Sequence, residues 1–102
     1  MRKIKVITED QLDLMHFIEC HSNVSQREIA KKLVFSTGKV NYCLKALIDI
    51  GFIKIHNFSK SNQKIKYVYI LTPKGIKEKT AITKKFLLKK KQEYNKLKTY
   101  ID

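Results

Sequence analysis

A mainly α chain with one small β-hairpin, an α+β arrangement, is the fold class that three features of the sequence predict. Between Ser25 and Gly51, two helix-start signals, Ser25 and Ser36, stand eleven residues apart, and the stretch closes on a glycine. Behind it, Phe52-Ile-Lys-Ile-His56 and Lys66-Tyr-Val-Tyr-Ile-Leu71 are β-branched, roughly alternating runs on either side of a polar loop. Thr72-Pro73 then opens a helical pattern that nothing stops before the C-terminus. Two short helices, a hairpin and a long helix, in that order, make a winged helix-turn-helix with a long C-terminal dimerisation helix. The expected division is residues 1–72 as the winged helix and 73–102 as the long helix.

The elements follow from local chemistry. Residues 1–7 form a basic arm or short strand. Thr8 and Gln11 make a capping box, and Glu9, Asp10 and Asp13 sit where the helix dipole favours acids. The first helix is expected over about residues 9–21, with Leu14, Phe17 and Ile18 as its core stripe. Leu12 and Met15 widen the apolar surface beyond one face, which predicts a second partner, namely another subunit. Ser25 with Glu28 is a further capping box, and Ile29, Ala30 and Leu33 give the second helix one apolar face. Val34-Phe35 makes the turn, and Ser36 caps a helix running to Ile50 with Gly51 as its C′ residue. The hairpin follows, with residues 57–65 as a long basic tip.

The last helix is expected over about residues 73–100. Ile76, Thr80, Thr83, Leu87, Lys90, Tyr94, Leu97 and Ile101 recur at alternating spacings of four and three, a coiled-coil-like seam. One long helix cannot bury such a seam in so small a domain, so a homodimer is expected.

A net charge of +13 over 102 residues favours polyanionic partners, nucleic acid or an anionic membrane. Residues 1–72 hold twelve Lys/Arg against six Asp/Glu, giving +6; residues 73–102 hold ten against three, giving +7. No apolar run approaches the roughly 20 residues that cross a bilayer, and the N-terminal segment is too short and charged for a signal peptide. A cytoplasmic protein with no membrane partner is the expectation. Cys20 and Cys43 lack CxxC spacing and read as reduced small hydrophobes. His16 and Cys20 lie four apart, but no third ligand stands at a recognisable spacing, so no metal and no cofactor are expected. Phosphate-cradling loops, HExxH and nucleophile–base sets are all missing, and an enzyme is not expected.

Placing Val40 at zero and advancing about 100° per residue puts Leu44, Leu47 and Ile48 on the core face of the second motif helix. Gly38, Tyr42, Lys45 and Asp49 lie opposite, flanked by Lys39 and Asn41. Ser36, Thr37, Gly38, Lys39, Asn41, Tyr42 and Lys45 are therefore the candidates to meet double-stranded DNA in its major groove. Asn41 can pair with adenine, Lys39 can reach guanine, and Gly38 would let backbone approach a phosphate. Gln26, Arg27 and Lys31 are candidate phosphate clamps. Lys60, Lys64 and Lys66, on a wing over residues 57–66, would follow the backbone or enter a minor groove. Lys84, Lys85, Lys89, Lys90 and Lys91 form either a solvated face or a second electrostatic surface. The dimer contacts would come from Leu12, Met15, Ile76, Thr80, Thr83, Leu87, Tyr94, Leu97 and Ile101.

Ser25-Gln-Arg-Glu-Ile-Ala30, Gly38-Lys-Val-Asn-Tyr-Cys-Leu-Lys-Ala-Leu-Ile-Asp-Ile-Gly51 and Leu71-Thr-Pro-Lys-Gly-Ile76 together resemble the exopolysaccharide-associated branch of the MarR-type winged-helix transcriptional regulators. The likeness covers about residues 9–100, and the run from Gly38 to Leu47 is its most specific part. It implies a dimeric DNA-binding regulator that reads DNA with the helix matching residues 36–50, often encoded near polysaccharide-biosynthesis genes. Larger members carry flanking helices that build the dimer interface and a ligand pocket. This chain has little before its first helix, so no dedicated small-molecule ligand is expected. The competing readings are a winged helix serving as a protein-interaction module and a non-specific nucleic-acid-binding protein. Binding that ignores base sequence would favour either.

Overall fold

The computed structural model describes residues 7–21, 24–59 and 65–102. The elements run α1 (Glu9–Cys20), α2 (Gln26–Leu33), α3 (Thr37–Asp49), β1 (Ile53–Ser59), β2 (Ile65–Leu71) and α4 (Pro73–Thr99). This is a winged helix with an extended last helix. Each helix starts at an expected cap: the Thr8 and Ser25 boxes are complete, and Ser36 and Thr72 accept from Lys39 and Gly75 backbone N–H groups. Gly51, with φ of +87°, follows the Ile50 cap of α3 in the left-handed region.

The core lies where α1, α2, α3 and the base of the hairpin meet. Leu14, Met15, Ile18, Ile29, Val40, Leu44, Leu47 and Ile53 are buried there, each worth about 1.5–3 kcal/mol for a fully buried large side chain. Met15 is 0% exposed and Leu12 9%, within this one chain. This corrects the expectation that they face another subunit. The first helix packs against α2, α3, β2 and α4 together, so its wide apolar surface is used at home. Cys43, at 4% exposure, joins the α3 core face beside Val40, Leu44 and Leu47.

β1 and β2 pair antiparallel from Ile53–Leu71 to Ser59–Ile65. Asn57, Phe58 and Ser59 therefore belong to a strand, where a loop was expected. Backbone pairing at a hairpin does not require apolar side chains, which is why a polar run conceals it. A third segment joins the sheet: the Tyr69 N–H donates to the Val24 carbonyl at 3.2 Å, an isolated antiparallel bridge.

The start of α4 is locked to the end of α3. The Thr72 hydroxyl donates to the Gly51 carbonyl (2.6 Å), the Lys74 ammonium to the Ile50 carbonyl (3.2 Å), and the Thr72 N–H to the Phe52 carbonyl (3.0 Å). Gly75 is buried against that same carbonyl: a Cβ there would stand 2.1 Å from the Phe52 oxygen. From this joint α4 runs back antiparallel along α1, with Lys79 paired to Glu19 (2.6 Å) and Lys90 to Glu9 (3.1 Å). The Glu9 hydrogen bond and charge push the Lys90 pKa up. Ile82, Thr83 and Phe86 are half-buried, whereas everything from Leu87 onward is exposed.

Candidate nucleic-acid interface

The recognition surface is built by anchoring one side of α3. Val40, Cys43, Leu44 and Leu47 are buried, which forces Thr37, Gly38, Lys39, Asn41, Tyr42 and Lys45 outward; all six are exposed. Ser36 is exposed as the N-cap, and its hydroxyl accepts from the Lys39 N–H (3.1 Å). A Cβ added at Gly38 would meet nothing within 4 Å, so its bare backbone faces open space. Tyr42, 73% exposed, presents a large ring and hydroxyl near the middle of this face.

Two of the candidate contacts already have partners within the chain. The Lys39 ammonium sits 2.6 Å from an Asp10 oxygen and 4.2 Å from the Phe35 ring centroid. The Gln26 amide donates to the Thr37 carbonyl at 3.2 Å, tying the start of α2 to the start of α3. Gln26 is thus a positioning group for the turn; Arg27 and Lys31 remain exposed on α2. In the sequence, the dipole of α1 alone accounts for an acid at Asp10. Its second role spans 29 positions along the chain and leaves no short-range pattern.

The turn between α2 and α3 is strained. Val34 caps α2 with φ 58° and ψ 43°, a left-handed conformation costly for a β-branched residue, and its side chain is 88% exposed. Glycine or asparagine is the usual occupant of such a position.

The wing calls for separate placement of its three lysines. Lys66 lies in β2 opposite Phe58, while Lys60 and Lys64 fall outside the described residues. On the face of the hairpin that carries Ile53 and Tyr69, Ile55 and Tyr67 continue outward and are half exposed.

A half-open cavity of about 370 Å³ lies between the start of α1 and α3. Asp10, Lys39, Tyr42 and Cys43 are among its lining residues. Burial pushes the Cys43 thiol pKa up, with Asp10 adding to the rise and Lys39 opposing it. His16 and Cys20 are side by side on the exposed side of α1 (Nε2 to Sγ 3.6 Å), and no group of three or more metal-binding side chains occurs among the described residues. None of the helices among the described residues is long and apolar enough to cross a membrane.

On α4 the predicted seam residues Ile76, Thr80, Leu87, Tyr94, Leu97 and Ile101 are exposed. Thr83 is half-buried and its hydroxyl donates to the Lys79 carbonyl (2.7 Å).

A capped, half-buried helix presenting a polar face beside a hairpin defines the winged helix-turn-helix class. Residues 11–54, from α1 to the start of β1, match the family model described as winged helix-turn-helix DNA-binding. Among solved structures, the chain is similar to MepR of S. aureus in a DNA complex, with TM-score 0.71, 23% identity, and 88% of this chain on 65% of that one. It is similar to the Multiple Antibiotic Resistance Repressor MarR, with TM-score 0.70, 20% identity, and 88% of this chain on 64% of that one. It is also similar to FabT of Streptococcus pneumoniae in complex with DNA, with TM-score 0.66, 17% identity, and 87% of this chain on 61% of that one. The chain spans less than two thirds of the length of each. No curated protein matches it.

Proposed function

We propose that this chain is a homodimeric, sequence-specific double-stranded DNA-binding transcriptional regulator of the MarR type, belonging to the exopolysaccharide-associated branch and acting in the cytoplasm. Residues 1–72 are the reading unit and residues 73–102 the pairing helix. The observation that carries the reading is the α3 face, where six exposed polar or glycine positions are held outward by four buried ones. Asn41 and Lys39 read base edges, Tyr42 and Lys45 meet phosphates, and Arg27 and Lys31 fix the register from α2. MepR and FabT, both similar to this chain in fold and both solved with DNA, support duplex DNA as the partner, and the exposed face of α3 is what enters its major groove. The exposed seam of α4 supports pairing, since exposed Leu87, Tyr94, Leu97 and Ile101 are costly to leave in water. Binding, not catalysis, is its chemistry.

Selection of bound sequences from a random duplex pool at fixed salt tests this. A pseudo-palindrome with half-sites about one helical turn apart is expected. Asn41→Ala should relax preference at one position of each half-site by about 1–3 kcal/mol. Equal binding of selected and random duplexes would refute sequence-specific regulation. A monomer in light scattering at micromolar concentration would refute pairing through α4.

A further inference from the structure

The charge on α4 is not used by the α3 face. Lys77, Lys84, Lys91 and Lys98 stand seven residues apart and are all exposed. Positions seven apart drift by only about 20° on an α-helix, so the four form one row. The side of α4 that meets α1 carries Lys79, Ile82, Phe86 and Lys90, and the row is turned roughly half a circle away from it. Because α1 also packs on α3, the row faces away from the recognition helix side of the molecule.

The pairing pattern separates this row from Lys79 and Lys90, though Lys85, Lys89 and Lys96 beside it are likewise exposed. Lys79 and Lys90 are tied to Glu19 and Glu9, while Lys77, Lys84 and Lys91 have no carboxylate partner among the described residues. Lys98 lies over the Tyr94 ring, 5.8 Å from its centroid, with its charge still exposed. Glu93 lies on the α1 side and Glu78 about 100° round the helix from Lys77, so the acid in line with the row is Asp102, just past the end of α4.

We propose that this row is a second contact surface for duplex DNA, distinct from the α3 face. Three steps of seven residues span about 32 Å, close to one turn of B-form duplex at roughly 34 Å. The row is therefore a straight, rigid comb matched in length to one turn of a strongly anionic rod. Exposed Ile76, Leu87 and Tyr94 flank the row on one side and Leu88 on the other; the first three belong to the seam assigned to pairing, which leaves little apolar surface free to insert into a bilayer once two copies join. A molecule holding its own site through α3 captures a second DNA segment of any sequence through α4.

The test uses full-length protein saturated on an immobilised duplex, with a dye-labelled random-sequence duplex offered in solution. The variant is Lys77→Gln, Lys84→Gln, Lys91→Gln and Lys98→Gln combined, since glutamine keeps helix propensity close to that of lysine. Wild type should capture the second duplex. Four phosphate contacts give a slope of about −3.6 in log K against log salt, so capture should weaken roughly 150-fold between 50 and 200 mM. The variant should lose capture and keep its affinity for the first duplex within about threefold. The proposal is overturned if wild type captures nothing, or if the variant captures equally. It is also overturned if the variant loses both duplexes together, because the row then belongs to the first site. Binding to phosphatidylserine vesicles, lost in the variant, without duplex capture would assign the row to a membrane surface and likewise overturn it. Since the second duplex has random sequence, failure of sequence selection through α3 reads out separately.

Discussion

Adding one methyl group at Gly75 probes the joint between α3 and α4. The new Cβ would lie 2.1 Å from the Phe52 carbonyl oxygen and 2.9 Å from its carbon, and both are backbone atoms that cannot swing aside. Relieving the clash requires a shift of about 1 Å at the start of α4. That shift stretches the Thr72 N–H bond to Phe52 and the Thr72 hydroxyl bond to Gly51, now 3.0 and 2.6 Å. Overpacking costs about 1–3 kcal/mol and the two weakened hydrogen bonds about 1 kcal/mol each, while alanine's better helix propensity offsets about 1 kcal/mol, so Gly75→Ala should destabilise by roughly 2–4 kcal/mol. In a chain this size that lowers the melting temperature by about 10–25 °C. Urea titration followed by circular dichroism measures it. Gly38→Ala is the control, because its methyl meets nothing within 4 Å, and it should stabilise by about 0.5 kcal/mol. If both alanines shift the midpoint equally, the close approach at Gly75 is not what holds α4 in place.

Val34→Asn should raise stability by about 1 kcal/mol, since asparagine tolerates the left-handed backbone at φ 58° and the valine side chain makes no buried contact; a lower melting temperature would sink this. Asp10→Asn frees Lys39 and removes a negative charge beside α3, so duplex affinity should rise about fivefold at 0.1 M salt with stability changed by less than about 1 kcal/mol. A fall in affinity would instead make Asp10 the group that holds Lys39 in reading position. Native protein treated with iodoacetamide near pH 8 should be alkylated at exposed Cys20 and spared at buried Cys43, as read by mass spectrometry. Because burial raises the Cys43 pKa above its ordinary 9.0, its contribution to stability is intact below that value and declines as pH rises past it.

What the sequence discloses is mostly what lies within four residues. The caps at Thr8, Ser25, Ser36 and Thr72 each depend on a partner three positions on, and all four form. The core side of α3 follows from periodicity, and Cys43, about 60° from Val40 on the same wheel and nearer its centre than Ile48, belongs to that side on the same ground. Met15 misled because a helix with a wide apolar surface can be enclosed by its own chain as readily as by a partner, and here four elements surround it. The Val24–Tyr69 bridge and the Lys39–Asp10 pair join positions 45 and 29 apart, and long-range contacts of that kind have no periodic signature. Val34 conceals its backbone conformation because the residue present is not one that favours it.

The lock between residues 50–52 and 72–75 makes α3 and α4 arms of one rigid bracket. If two such brackets are joined along the 27 residues of α4, no flexible loop sets the gap between the two reading heads. The gap depends on where along the rod the seams engage. Sliding the pairing by one heptad moves one bracket about 10 Å along the rod, equivalent to about three base pairs of duplex. The register of a coiled seam, far from any base, then works as a ruler for half-site spacing.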